Sequence, residues 1–182
     1  MNKKSFIRLT VFAVLLFVLA IPVSVMAQNS KERELIEDSK AAQAEFVKSD
    51  SLMQSLFQNS YGYVIFPNVG KGAIGIGGAA GNGILFQKGT PIGSAKLKQL
   101  SIGFQLGGQT YREVIFFENE AALDRFKQNN FEFAAQASAV AATKGASANV
   151  KYRDGVMVFT QEKKGLMYEA SVGGQKFDYT AF

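Results

Sequence analysis

No histidine and no cysteine occurs among the 182 residues, so the commonest ligands for zinc, iron and copper are missing, together with the usual triad base and the thiol nucleophile. Carboxylate chemistry remains. Glu113, Glu118 and Glu120 lie close together in the chain, but Glu120 falls where a helix N-terminus favours negative charge, and the group reads as structural. Gly70-Lys71-Gly72-Ala73-Ile74-Gly75 has the spacing of a dinucleotide fingerprint. That motif works only when a helix opens directly behind it and aims its amides at a pyrophosphate. Ile76-Gly77-Gly78-Ala79-Ala80-Gly81 is a poor helix, so the match reads as a glycine-rich strand. The expectation is a protein that is not an enzyme and uses neither cofactor nor metal.

Amines carry the stronger signal. From Ser51 to Arg112 there is no acidic residue, while Lys71, Lys88, Lys96, Lys98 and Arg112 are all basic. The local potential should be positive there. In Lys96-Leu97-Lys98 the alternation places both lysines on one face of a strand. A cationic face of this kind suits lipid head groups or a membrane surface; lysines guarding a strand edge against sheet-to-sheet pairing would look the same.

The elements that must position these residues start behind an export signal. Lys3, Lys4 and Arg8 precede an apolar run from Leu9 to Ile21, and Val25-Met26-Ala27 fits the cleavage rule, so residues 1–27 read as a signal peptide. The expected location is outside the cytoplasm: periplasmic, extracellular or associated with the outer membrane. Residues 28–182 are enough for one domain with a sizeable core. Their charge, 17 basic against 15 acidic residues, gives no reason to expect a nucleic-acid partner. Without cysteine, packing and backbone pairing must supply the stability.

Residues 30–59 have helical periodicity through Leu35, Ala42, Phe46, Met53 and Leu56. Asn29 with Glu32, and Ser51 with Gln54, resemble capping boxes, so two helices are expected with a break near Ser49-Asp50-Ser51. After Tyr61 the texture is that of strands. Tyr61 to Phe66 reads as a strand ended by Pro67-Asn68. Three hairpins are expected, turning at Gly81-Asn82, Gly107-Gly108 and Gly173-Gly174. Asn119 should cap a short helix in which Leu123 and Phe126 share a side; Phe131 to Thr143 is Ala-rich and fits helix or strand, with strand favoured because small residues let sheet layers approach closely. Glycine costs a strand about 0.5–1 kcal/mol each, which bulges, curvature or close backbone approach would explain. The fold class expected is α+β: a strongly curved or closed antiparallel sheet packed with N-terminal helices and one short internal helix.

Ser51-Leu52-Met53-Gln54-Ser55-Leu56-Phe57 followed by Tyr61-Gly62-Tyr63-Val64-Ile65-Phe66-Pro67-Asn68-Val69-Gly70-Lys71-Gly72 resembles the SYLF domain, also called the Ysc84 actin-binding domain. Ser101 to Gln109, Val114 to Phe117 and Lys164-Gly165-Leu166 fit the same pattern, so the resemblance spans nearly all of residues 28–182. It implies lipid binding: eukaryotic relatives bind phosphoinositides, some bind actin filaments, and bacterial members are exported. The chain departs from the family in two places. Ile92-Gly93-Ser94-Ala95 stands where a Trp-Ser segment is usual, and residues 30–59 carry four basic against six acidic residues, unlike a basic amphipathic lead segment.

The leading expectation is therefore a non-enzymatic module that binds lipid head groups or a membrane surface, through Lys71, Lys96 and Lys98 with Lys88 and Arg112. An envelope domain that binds another envelope protein, and a small outer-membrane β-barrel, are the alternatives.

Overall fold

The computed structural model describes residues 30–74, 76–101, 109–129, 131–134, 138–164 and 170–182. Leu35 to Phe182 form one compact unit. Residues 30–49 are helical (α1) and a second helix, α2, runs Met53–Asn59. The break between them is where expected, but Ser51 is not its cap. The N-cap position is Leu52, with no side-chain cap bond; Asp50, two residues before it, accepts the Leu52 amide on its carboxylate at 3.2 Å. The Asn29 cap lies outside the described residues.

The body is an eight-stranded sheet in the order β7-β5-β6-β4-β1-β2-β3-β8. The strands are β1 (Gly62–Ile74), β2 (Ile76–Gln87), β3 (Thr90–Ser101), β4 (Gln109–Phe117), β5 (Ser138–Ala141), β6 (Val156–Lys164), β7 (Ala170–Ser171) and β8 (Gln175–Ala181). Every pairing is antiparallel except β5 with β6. After β4 comes α3 (Glu120–Lys127), whose Ala122 amide donates to the Asn119 side chain at 3.0 Å. Leu123 and Phe126 are buried on one side of it, as the sequence predicts.

The sheet curls strongly without closing into a barrel. On a flat sheet, β4 and β8 would stand about 19 Å apart, four strand spacings of about 4.8 Å. Gln175 of β8 nevertheless donates to Glu113 of β4 at 3.0 Å, and the rings of Phe66 in β1 and Phe177 in β8 have centroids 5.7 Å apart. The concave side therefore holds one core, built on Val64, Phe66, Ile115, Phe117 and Phe177 and plugged by α3. On the convex side α1 and α2 lay Phe46, Met53 and Phe57 over Tyr63, Ile65, Phe86 and Phe116. An outer-membrane barrel would turn a continuous apolar band to lipid. Here the sheet stays open and helices cover part of its outer face.

Several sequence expectations are corrected. Pro67 does not end its strand. Against β2 the register moves from Ile65↔Ile84 to Asn68↔Asn82, and against β4 from Phe66↔Glu113 to Val69↔Tyr111, so β1 continues through a one-residue bulge. A bulge is where a strand tolerates the missing N–H of proline. Gly81-Asn82 is not a turn either; both residues are paired on each side within β2. The glycines of that stretch allow close approach, since a Cβ on Gly83 would sit 2.5 Å from the Ile65 carbonyl oxygen beside the bulge. The β2–β3 turn uses Lys88 and Gly89, both at positive φ. β4 pairs with β1 and β6, not with β3, and Gly107-Gly108 lies outside the described residues. Gly174 does sit in a turn at positive φ, yet the flanking strands part, β7 to β5 and β8 to β3. In the last two cases a strand distant in the chain takes the place of the sequence neighbour.

Candidate lipid-facing surface

The helices leave one end of the convex face uncovered, and basic side chains gather there. Lys96 and Lys98 alternate with buried Leu97 on β3, so both face outward. Lys98 is register partner of Lys176 in β8, which adds a third lysine to the same face. At the other margin Arg112 of β4 donates to Gln161 of β6 at 3.1 Å, and the Lys163 ammonium donates to Asn68 of β1. Between these margins lie Asn68, Gly70, Gly72, Ala80 and Asn82, all exposed. The stripe runs from β6 across β4, β1, β2 and β3 to β8, about 24 Å at the usual strand spacing.

Acids are few along it. Asp178, register partner of Lys96, bonds Lys98 at 2.7 Å; this hydrogen bond and the lysine charge hold its carboxyl below the usual range. Glu132 reaches Lys176 at 3.3 Å. Leu100 completes the row begun by Lys96 and Lys98 and is 84% exposed. An isolated leucine on a cationic, glycine-smoothed surface can insert below head groups while the lysines contact phosphate.

The five residues selected from the sequence do not all meet. Arg112, Lys96 and Lys98 share the stripe. Lys71 faces the other way, because the bulge at Pro67 shifts the alternation of β1 and brings it level with buried Ala79 on the concave side. Lys88 sits in the β2–β3 turn at the opposite end of the sheet. Lys163, Lys176 and Leu100 are the residues that sequence reasoning missed. The two lysines lie beyond the acid-free stretch, with Glu162 and Asp178 near them in the chain, so a linear charge count hides them. Leu100 was legible as the third member of an alternating row.

The carboxylates do not assemble a reaction centre among the described residues. Glu118 and Glu120 lie beyond the end of β4 at the start of α3, whereas Glu113 is fully buried in the concave core. Burial pushes the Glu113 acid up to about 8, partly opposed by its bond from Gln175. The same burial, with Glu113 nearby, raises the Tyr111 phenol. The fingerprint glycines Gly70 and Gly72 lie within β1, which leads into β2 and not into a helix.

Comparison with known proteins supports the family resemblance. Residues 98–180 match the family model described as Ysc84, Las17-binding protein actin regulator. Over these residues the chain is similar to the Ysc84, or SYLF, family. The matched segment runs from β3 to β8 and contains Lys98, Leu100, Arg112, Lys163 and Lys176. A curated relative, beta cell expansion factor A from Aeromonas veronii, is 28% identical over 123 residues, covering 67% of this chain and 47% of its own length. The chain thus spans about half the length of that relative. The SYLF segment supplies both margins of the cationic stripe, while β1 and β2, which supply its centre, precede it.

Proposed function

We propose that this protein is a non-enzymatic module that binds a membrane surface through the convex stripe, acting outside the cytoplasm as its leading segment suggests. The observation that carries this reading is the gathering of Arg112, Lys163, Lys96, Lys98 and Lys176 on one uncovered face, with Leu100 exposed beside them. The match of residues 98–180 to the Ysc84 family model supports it.

Anionic head groups attract each nearby basic side chain by about 1 kcal/mol, and burying a leucine contributes roughly 1.5–3 kcal/mol. Removing two lysine charges should therefore weaken binding about thirtyfold, and reversing them should weaken it further. The test is flotation of the purified protein with phosphatidylglycerol vesicles and with phosphatidylcholine vesicles, at low and high salt. Binding to the anionic vesicles should fall with salt and be lost in Lys96→Glu/Lys98→Glu. Equal flotation of that variant, or none of the parent protein at low salt, refutes the reading.

A further inference from the structure

At the far end of β6 from Lys163 the sheet leaves a gap. β5 pairs with β6 only at Val140↔Phe159 and Ala141↔Thr160. Below that point the Val156 to Val158 half of β6 is flanked by the short arm 150–153, which bridges back at Arg153↔Val156 through a turn with Asp154 and Gly155 at positive φ. The resulting groove has a volume of about 1050 Å³, just above the roughly 300–1,000 Å³ of small-molecule sites.

Two materials line this groove. Its floor is apolar, with Phe133, Val158 and Val172 from the concave core and Val140 and Met157 from the convex one. The rim is basic: Arg125, Lys151 and Arg153 line it and are exposed. Arg125 is held in place by donating to the Asp154 carbonyl oxygen. Lys151 and Arg153 flank Tyr152, whose ring packs into the convex core, so alternation turns both away from that core. Of the two rim acids, Glu132 is already engaged by Lys176 at 3.3 Å, leaving Asp154 against three cations.

We infer that the groove between β6 and the 131–134 segment binds one single-chain amphiphile with an anionic head, its tail along the valine and phenylalanine floor and its head among Arg125, Lys151 and Arg153. The shape argues for a monomeric ligand. A bilayer surface is broad and suits the convex stripe, whereas a half-open groove with an apolar floor and charge at its edge suits a tail and a head. The site is separate from the stripe, so either can fail without the other.

The test is calorimetric titration of the purified protein with sodium laurate, lauroyl-lysophosphatidylglycerol, dodecyl maltoside and dodecyltrimethylammonium, each below its micelle concentration. The two anionic probes separate a carboxylate head from a phosphate head; both should bind one per chain, with the neutral and cationic probes at least tenfold weaker. Lys151→Glu/Arg153→Glu changes only exposed rim residues and should raise the dissociation constant at least tenfold. Val158→Trp should block the floor. Vesicle flotation of the rim variant should match the parent, just as Lys96→Glu/Lys98→Glu should bind laurate normally. Unchanged affinity in the rim variant, equal binding of all four heads, or no saturable binding of either anionic probe overturns the inference.

Discussion

Replacing Glu113 by Gln should stabilise the protein at neutral and alkaline pH while leaving it nearly unchanged in mild acid. Glu113 is fully buried, and its acid is raised from 4.5 to about 8. Below pH 4 the carboxyl is protonated in the folded and unfolded chain alike and carries no penalty. As pH rises through 4.5 the unfolded chain releases its proton and is favoured, while the folded chain holds its proton until about pH 8. Stability therefore falls across this window and levels off above it. At about 1.36 kcal/mol per pH unit, the loss between pH 5 and pH 8 is roughly 4 kcal/mol, on the order of 2 M in urea midpoint for a slope near 2 kcal/mol/M. Glutamine keeps the shape and the acceptor for Gln175, and it cannot ionise. The assay is urea unfolding followed by tyrosine fluorescence from pH 5 to pH 8.5. The parent midpoint should fall steeply and that of Glu113→Gln should stay level, the two converging near pH 5. Parallel profiles, or a variant less stable than its parent at pH 8, would refute the claim that a neutral buried acid sits in the concave core.

Asp50 makes the opposite kind of contribution. Burial works against its charge, but the Ser147 hydroxyl at 2.6 Å and the Ser147 and Leu52 amides hold its carboxyl below the usual range, so its contribution is present above about pH 4 and is lost as pH falls through its lowered value. Asp50→Ala should cost roughly 2–4 kcal/mol at pH 7, measured by the same unfolding assay. Gly83→Ala should cost about 1–3 kcal/mol, because its Cβ would lie 2.5 Å from the Ile65 oxygen and 2.6 Å from the Phe66 ring; Gly70→Ala, with nothing within 4 Å, should leave the thermal midpoint unchanged or raised. Asn119→Ala removes the cap of α3 and should lower stability by about 1 kcal/mol, with the loss concentrated in hydrogen-exchange protection of residues 120–127.

The helical lead segment, its break at Asp50, the α3 cap and the strand-rich body were legible because each rests on neighbours a few residues apart. Helix periodicity through Ala42 and Phe46 and the Asn119 cap are local signals, and the structure reproduces them. The absence of histidine and cysteine chemistry was likewise fixed by composition. Strand partners were not legible. Gly81-Asn82 has the residues of a turn, but a strand interior next to a bulge needs glycine for a different reason, and only the position of β1 reveals which applies. The same bulge reverses the alternation beyond Pro67 and turns Lys71 away from Lys96 and Lys98. Lys163 and Lys176 enter the stripe because β6 and β8 fold alongside strands 50 to 80 residues distant in the chain, a proximity that no local pattern encodes. The curl that brings Gln175 to Glu113 is likewise a sum of small twists and glycine contacts over many strands. Sequence thus determined the helical segments, the strand-rich body and the residue types available for chemistry, through short-range propensity and side-chain type. Tertiary structure decided which charges share a face and where the groove opens, because both depend on register and curvature, properties of the whole sheet.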